Sequence, residues 1–260
     1  MKSIEPDKID QLPGQRIEAG DTFKFRCHSG LACFNQCCRN LNLFLYPYDV
    51  LRLRRQLGIS ADQFIERHVD LVMRPGHFFP EVLLRMFDNE QQTCPFLTEE
   101  GCRVYPDRPD TCRGFPVEQG RLYEGGSGRS TAVHFFRPPD FCLGRHEQQT
   151  WTLQTWADDQ DARTYHKMTG LWADIRHLFQ QDPWGPGGFA GPKGKMAFMA
   201  AYNMDQFRSF VFDSTFLKRY RVKADLVKKL RFSDTALLTF GFEWIRVFIW
   251  NQPSKVMRLR

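Results

Sequence analysis

Cysteine is the reactive residue that stands out in this chain of 260 residues, because eight cysteines lie between positions 27 and 142. They are Cys27, Cys33, Cys37, Cys38, Cys94, Cys102, Cys112 and Cys142. A thiolate is a soft, anionic ligand that suits zinc, copper(I) or an iron–sulfur cluster, and four thiolates complete a tetrahedral shell. We therefore interpret all eight cysteines as candidate metal ligands.

The adjacent pair, Cys37 and Cys38, closes the first cysteine segment, CHSGLACFNQCCRN. Successive side chains point in different directions in any regular backbone. We therefore expect the two thiols to bind one small ion together only in an irregular turn. Either one binds a metal while the other packs, or the two serve different sites. Eight thiols complete at most two four-cysteine sites, and one site with several bystanders agrees equally well with the count.

The second cysteine segment reads CPFLTEEGCRVYPDRPDTCRGFP and is stiffened by prolines, which fix φ in the loops that present its thiols. Its arginines are Arg103, Arg108 and Arg113. They either offset the charge of a thiolate site and donate hydrogen bonds to sulfur, or pair with nearby carboxylates. We expect the first cysteine segment to be half of a ligand set that Cys94, Cys102 and Cys112 complete.

Other motifs give weaker signals. Cys142 and His146 are four residues apart, as ligands on one helical turn would be, and His28 lies inside the first segment. The Gly-rich run GGSGRS, residues 125–130, resembles a nucleophile elbow only superficially and is interpreted as a turn. The glycines between 185 and 194 form no phosphate loop, because no Lys-Ser or Lys-Thr follows them. We assign no catalytic residue.

Composition sets the context for these thiols. With 42% apolar residues the chain can bury a core without cross-links, unlike a small disulfide scaffold. The polar N-terminus predicts neither a secretory signal nor a transit peptide, and no run approaches the roughly 20 apolar residues of a spanning helix. We expect a cytoplasmic protein, and in that reducing compartment eight cysteines favour metal binding or redox chemistry over disulfides.

The net charge of +6 is modest, and the basic residues are scattered in small clusters such as those at 52–55, 228–229 and 258–260. Such clusters are typical of solvated helix faces rather than of a nucleic-acid footprint. We expect no nucleic-acid partner and no membrane partner. Exposed parts of the aromatic C-terminal helices leave room for a protein partner of unknown identity.

The elements that position the cysteines divide the chain into two parts, because the last hundred or so residues lack cysteine and carry Phe, Trp and Leu at helical spacing. We predict an N-terminal extension (1–22), a cysteine-cluster metal-binding domain (23–145) and a helical region (146–260). The predicted fold class is α+β and mainly helical. A small, irregular cysteine-rich part with short strands is expected to pack on a C-terminal helical bundle.

Local patterns predict the individual elements. A helix over 48–57 should end at Gly58, and Ser60 should open a second helix through a capping box with Gln63. Residues 78–88 are expected to be extended, and residues 119–130 to form a turn between two short strands. Helices are predicted over 151–160, 162–180, 195–212 and from Ser233 to about 250. The Gly/Pro-rich stretch 182–194 is predicted to be a linker or a lid loop.

These motifs together resemble a known family. The two cysteine segments, with YPYDVLRLRRQLGISADQFIERHV between them, are similar to the YkgJ family of bacterial cysteine-cluster proteins, described as zinc- or iron-chelating. The similarity covers approximately residues 23–120. Five residues separate Cys27 from Cys33 and three separate Cys33 from Cys37. This looser spacing also resembles flagellin lysine-N-methylases, which carry an iron–sulfur cluster and use S-adenosylmethionine.

Three functions follow as hypotheses. The first is a metal centre, which we expect to hold a 4Fe–4S cluster in preference to zinc. Its role would be structural, redox-active as in an iron–sulfur oxidoreductase, or the handling of metal. Its expected ligands are Cys33, Cys37 or Cys38, Cys102 and Cys112, with Cys27, Cys94 and Cys142 as further candidates. The second is an S-adenosylmethionine-dependent protein lysine N-methylase-like enzyme, which the resemblance implies. The third is an adaptor whose metal has a purely structural role.

Overall fold

The structure is a computed structural model that describes residues 2–123 and 130–260. Of the described residues, 46% are helical and 18% lie in strands, so the prediction of a mainly helical α+β protein is confirmed. The centre of the predicted Gly-rich turn, including most of GGSGRS, lies outside the described residues. Within the described chain, no helix combines the length and the apolar character needed to cross a bilayer.

Short strands and longer helices alternate along the chain. The strands are β1 (Lys2–Ile4), β2 (Gln15–Ile17), β3 (Thr22–Lys24), β4 (Phe44–Leu45), β5 (Val69–Val72), β6 (Glu81–Leu84), β7 (Leu97–Thr98), β8 (Gly101–Cys102), β9 (Val117–Tyr123), β10 (Ser130–Phe136), β11 (Thr150–Thr152), β12 (Tyr220–Val222) and β13 (Met257–Leu259). The α-helices are α1 (Pro47–Gln56), α2 (Ala61–His68), α3 (Asp110–Gly114), α4 (Leu153–Asp159), α5 (Arg163–Leu178), α6 (Pro192–Tyr202), α7 (Met204–Asp213), α8 (Phe216–Arg219), α9 (Ala224–Phe232) and α10 (Asp234–Trp250).

The chain divides into two compact units. The first comprises Met1–Phe44 and Leu84–Ala173, and the second comprises Leu45–Leu83 and Asp174–Arg260. Every cysteine therefore belongs to the first unit, and most of the helices belong to the second. The predicted domain boundaries after residues 22 and 145 stay a prediction.

The first unit is built on a four-stranded sheet in the order β1-β9-β10-β2. Strand β1 runs parallel to β9, whereas β9, β10 and β2 are antiparallel neighbours. In β10 the buried residues Val133 and Phe135 alternate with more accessible ones, so one face of the strand packs against Ile4 and Ile9. The two strands predicted around the Gly-rich turn are confirmed as β9 and β10, but residues 119–123, which were predicted to belong to the turn, are part of β9.

A second cluster of the first unit surrounds a cysteine. Phe25, Val117 and Trp156 pack with Cys142 in this cluster, together with Ile17 and Phe23. The indole Nε1 of Trp156 donates to the carbonyl oxygen of Gly114 (3.1 Å). Cys142 thus lies at the edge of an aromatic core, where water has little access to its sulfur.

The second unit begins with the helix pair that the sequence predicts. Helix α1 ends before Gly58, whose φ of +65° suits glycine, and Ser60 caps α2 through its reciprocal bonds with Gln63. Both local predictions are confirmed. The extended stretch predicted over 78–88 is confirmed in part, as β6.

Two helical predictions are wrong in their bounds. The single helix expected over 195–212 is interrupted at Asn203, whose side chain accepts from the Gln206 N–H (3.1 Å) and so starts α7. The Nδ2 of Asn203 donates to Asp62 Oδ1 (2.7 Å), a long-range contact invisible to local periodicity. The helix expected from residue 151 begins only at Leu153, because residues 150–152 pair with β3.

We predict that Gly241→Ala lowers the free energy of unfolding by about 1–3 kcal/mol, the usual cost of overpacking. An added methyl group at Gly241 of α10 would lie 2.3 Å from the carbonyl oxygen of Ala200 in α6, and backbone at that distance must shift. Urea denaturation measures the change.

Gly170→Ala is the matched control, because Gly170 is also buried within a helix. The added methyl group would lie nearest to Arg121 Nη2, at an ordinary contact distance of 3.5 Å. We expect no loss, or a gain of up to about 1 kcal/mol from helix propensity. Equal destabilisation by both substitutions would contradict a specific clash at Gly241.

Candidate metal centre

The segment that leads into Cys27 is held by a segment more than a hundred residues away. Strand β3 pairs antiparallel with β11, and the Phe25 N–H extends this ladder by donating to the Gln149 carbonyl oxygen (2.9 Å). The indole Nε1 of Trp151 donates to the Phe25 carbonyl oxygen (2.7 Å). These backbone bonds fix the position of the residues immediately before the first cysteine.

The loop after Cys142 lies directly on the same segment. The Arg26 N–H donates to the Gly144 carbonyl oxygen (3.1 Å). Cys27 directly follows Arg26, and Cys142 lies two residues before Gly144, so this bond joins the backbone segments that carry the two cysteines. A methyl group at Gly144 would lie 2.6 Å from the Arg26 carbonyl oxygen. Glycine at position 144 therefore permits the close approach of the two backbones.

A third thiol joins this pair. The Leu143 N–H donates to Cys33 Sγ at 3.2 Å, within the range of an N–H···S bond. Burial raises the pKa of Cys27 to about 11, although the residue as a whole is exposed, and charge repulsion from Cys37, Cys142 and Cys33 adds to this rise. Cys27, Cys33 and Cys142 form what we call the first thiol group.

Cys37 and Cys38 lie in a tight 3₁₀ turn, Gln36–Cys38, which begins after Asn35 with its left-handed φ of 63°. Their side chains are hydrogen-bonded to each other, and this bond, followed by burial, raises the pKa of Cys37. The irregular turn that the sequence required for proximity of adjacent thiols is therefore present. Both residues are partly buried.

The second cysteine segment is bonded to this turn. The Cys94 N–H donates to the Cys38 carbonyl oxygen (2.9 Å), and a bridge between Arg39 and Thr93 continues the contact. The hairpin β7–β8 then returns the chain, with Cys102 directly opposite Leu97. Cys38, Cys94 and Cys102 form the second thiol group.

Cys37 lies between the two groups. Its thiol raises the pKa of Cys27 and Cys142 in the first group and of Cys94 and Cys102 in the second. Since charge repulsion of this kind acts over short distances in a protein, the thiols of four chain segments converge around Cys37. The structure thus brings together seven of the eight candidate ligands.

Backbone amides point at several of these sulfurs. Three cysteines accept hydrogen bonds from the N–H groups two or three residues further along the chain. The bonds run from Phe96 and Leu97 to Cys94, from Val104 to Cys102, and from Gly144 and Arg145 to Cys142. N–H donors lower the thiol pKa and stabilise a thiolate, which is what a metal ligand requires.

Cys112 lies apart on helix α3 and is exposed. Its connection to the other thiols runs through the buried Arg108, which interacts with the charges of both Cys112 and Cys102. Arg108 donates to the Tyr105 carbonyl oxygen (2.7 Å) and stacks on that ring. Of the two interpretations given to the arginines, the offset of thiolate charge therefore has direct support at Arg108.

Arg113 has a role that the sequence did not suggest. This buried guanidinium donates to the backbone carbonyl oxygens of Arg108 (3.0 Å), Gln160 (2.7 Å) and Pro106. It also stacks on the ring of Tyr165. Arg113 thus clamps the loop between Cys102 and Cys112 from inside.

A buried acid–histidine pair beside α3 was also missed. His166 Nε2 lies 3.5 Å from Asp110 Oδ1, within ion-pair distance. Burial raises the pKa of Asp110 and lowers that of His166. No local spacing in the sequence links His166 to residue 110.

The two histidines considered as ligands have other contacts. His28 Nδ1 accepts from the Gly30 N–H (3.2 Å), and its Nε2 lies 3.8 Å from Glu147. His146 ends the 3₁₀ turn that follows Cys142 and accepts a weak bond from Arg145 (3.5 Å).

The chemistry of the donor set fits a soft metal ion or cluster. The two thiol groups and Cys37 bring seven cysteine sulfurs into one region, where amide donors and the Arg108 guanidinium accompany them. Among the described residues, no three His, Cys, Asp or Glu side chains are already gathered as closely as a single bound ion requires. The metal-free structure favours neutral thiols, because burial raises the pKa of Cys27 and Cys94 to about 11.

Comparison with known proteins agrees with this chemistry. Residues 26–143 match the family model CxxCxxCC, described as "Putative zinc- or iron-chelating domain". The matched range contains all eight cysteines. No curated protein and no solved structure matches the chain. The resemblance to the cysteine-cluster family is therefore confirmed, whereas the resemblance to flagellin methylases stays a prediction.

We predict that the metal-free protein loses stability as the pH rises from about 9 towards 11. The pKa of Cys27 and of Cys94 is about 11 in the folded state and 9.0 ordinarily, so folding favours the neutral thiol. The contribution of these thiols to the free energy of unfolding is complete below pH 9.0, their ordinary pKa. It is lost as the pH rises through the folded-state pKa of about 11. Thermal unfolding with a chelator should show the decline, and a flat profile would contradict the buried-thiol description.

We predict that Gly144→Ala weakens metal binding, because the added methyl group would meet backbone at Arg26 and separate the loop of Cys142 from Cys27. Gly30→Ala is the control, since its methyl would touch only the movable ring of His28. Competition with a chelator should give an affinity about 10–100-fold lower for the first variant, as for loss of an outer-shell support. Equal affinities would argue against a site that includes both thiols.

Proposed function

We propose that residues 26–143, which match the zinc- or iron-chelating domain model, hold a metal through Cys27, Cys33, Cys37 and Cys142. The observation that carries this assignment is the mutual influence of these thiols. Cys37, Cys142 and Cys33 all act on the pKa of Cys27, and Cys33 and Cys37 both act on that of Cys142.

The order of the chain supports the same set. Three of the four thiols come from one irregular segment, which needs only local turns to present them. The fourth is delivered by the loop of Cys142, whose Leu143 N–H already bonds Cys33 Sγ. A tetrahedral four-thiolate shell is common to structural zinc and to cubane clusters, so this set serves either.

The second thiol group gives the alternative set. Cys94 and Cys102 accept amide hydrogen bonds and share Cys37 with the first group. In a site built there, Cys37 or Cys38 would join them, and Cys112 would be the fourth ligand, close to the selection made from the sequence alone. The two ligand sets predict that different single cysteine substitutions abolish metal binding, so mutagenesis can distinguish them.

For the nature of the metal we favour an iron–sulfur cluster, with zinc as the alternative. Amide N–H donors to sulfur and aromatic cover tune and shield a cluster. Both occur at Cys142, which accepts from Gly144 and Arg145 and packs beside Phe25 and Trp156. A bound cluster would supply one-electron redox capacity, and zinc would supply structural stability alone.

Anaerobic purification with metal and sulfide analysis tests the identity of the metal. Iron and acid-labile sulfide with a broad absorption band near roughly 400 nm, the usual region for thiolate-ligated iron, support the cluster. A colourless protein with one zinc per chain would exclude the cluster and retain the ligand set. A protein that takes up neither metal would overturn the proposed function.

We predict that C27S, C33S, C37S and C142S each lower the metal affinity by at least about 100-fold, because loss of a ligand exceeds the 10–100-fold cost of losing an outer-shell partner. C112S is the matched control and should keep wild-type metal content, since Cys112 is exposed and outside the set.

The substitutions C94S and C102S discriminate between the two thiol groups. If they abolish binding while C27S and C142S retain it, the second group holds the metal and our assignment fails. Circular dichroism of each metal-free variant separates loss of a ligand from loss of the fold.

A further inference from the structure

The positive charge of the chain is concentrated at one end. Residues 213–260 contain eleven Lys and Arg against four Asp and Glu, a net charge of +7. Residues 1–212 contain 25 basic and 26 acidic residues, a net charge of −1. The formal charge of +6, which looks modest when spread over the whole chain, therefore belongs to the last part of the second unit.

The centre of this basic region is the two-stranded ribbon of β12 and β13. In its register Arg221 is directly opposite Arg258. Directly opposed residues of an antiparallel pair have their Cβ atoms within about 5.5 Å, and like charges at such positions are destabilising. Arg260 lies two residues after Arg258 on the same face of the ribbon. Its N–H bonds the Arg219 carbonyl oxygen (2.9 Å), which carries the pairing one step further.

The other face of the ribbon explains why this repulsion is tolerated. Met257 is buried, and its partner Val222 is partly buried, so this rung anchors the ribbon to the core of the second unit. Phe216 stacks on Tyr220 next to it, with ring centroids 4.7 Å apart. Apolar contacts on one face thus hold the arginines close together on the other.

The arginine face opens into a cleft. Arg221, Arg258, Arg260 and the exposed Leu259 line a space of about 580 Å³. None of the three arginines forms an ion pair with a described residue, and no acidic side chain is among the lining residues. Three guanidinium groups therefore share one cleft whose lining, within the described part of the protein, contains no acidic side chain.

We propose that this cleft binds a polyphosphate group, carried by a small soluble ligand or by a phosphorylated lipid headgroup. Guanidinium offers a planar fork of N–H donors that matches phosphate oxygens in bidentate fashion. Two opposed arginines and a third beside them present such forks to adjacent phosphates. A bound polyanion also converts the repulsion across the Arg221–Arg258 rung into attraction.

Size favours a compact ligand over a long polymer. The cleft is lined by only four residues, all of them exposed, so it matches a small polyanion better than an extended partner. The ribbon is three residue pairs long, so it spans about 10 Å, the scale of a chain of a few phosphates rather than of a nucleic-acid track. The proposal concerns the second unit and does not depend on the metal centre in the first.

The test uses the full chain and the substitution R258E, with sodium tripolyphosphate as the soluble probe in isothermal titration calorimetry. The introduced carboxylate faces Arg221, so it should keep or raise the thermal stability while it removes the anion site. We expect tripolyphosphate to bind wild type and to bind R258E at least about ten-fold more weakly, the effect of reversing a charge within a bidentate site.

K228E is the matched control, because it changes the net charge equally but lies on α9, outside the residues that line the cleft. We expect its affinity for tripolyphosphate to stay within about two-fold of wild type at moderate ionic strength, since exposed charges are screened beyond a Debye length. Equal losses in K228E and R258E would show a general charge effect and overturn the cleft.

Vesicles with and without phosphorylated phosphatidylinositol distinguish the source of the phosphates. Binding to tripolyphosphate alone supports a soluble ligand, and binding to the phosphorylated vesicles that R258E abolishes supports a headgroup. If neither probe binds, or if only single-stranded DNA does, the proposal is wrong.

Discussion

The thiols of the proposed centre lie far apart in the sequence, from Cys27 to Cys142, and have to be brought together. In this protein the requirement is met by backbone hydrogen bonds rather than by the thiols themselves. The ladder between β3 and β11, extended through Phe25 and Arg26, determines where Cys27 meets Cys142. The Cys94 N–H bond to Cys38 does the same for the second thiol group.

The centre also depends on an electrostatic balance. Burial opposes thiolate formation, whereas amide donors and the buried Arg108 favour it. Arg113, a residue of the same type five positions away, is satisfied by carbonyl oxygens and serves the loop instead. Two arginines that look equivalent in the sequence therefore act on different targets. A bound metal ion would favour the thiolate form, because its positive charge would be the largest charge near the thiols.

The sequence was most informative where structure is local. The Ser60–Gln63 capping box and the Gly58 terminus were predicted correctly, because their partners are three residues apart or nearer. The break at Asn203 was missed, since its cause is a bond to Asp62. Within the site, the types of the ligands and their family were readable from the cysteine motifs. The central place of Cys37 and the pairing of Asp110 with His166 were not, because the fold alone brings those residues together.

The bond from Leu143 to Cys33 spans 110 residues, and this separation has a consequence for the order of events during synthesis. A nascent chain exposes the first four cysteines long before the loop that completes their set has left the ribosome. Until β11 has been synthesised, only turns surround those thiols. Closing so long a loop is slow, because the chain loses conformational entropy before the stabilising contacts form. The proposed centre can therefore be completed only after synthesis has passed residue 142. The cell has to keep the early cysteines reduced and free of the wrong metal throughout that interval.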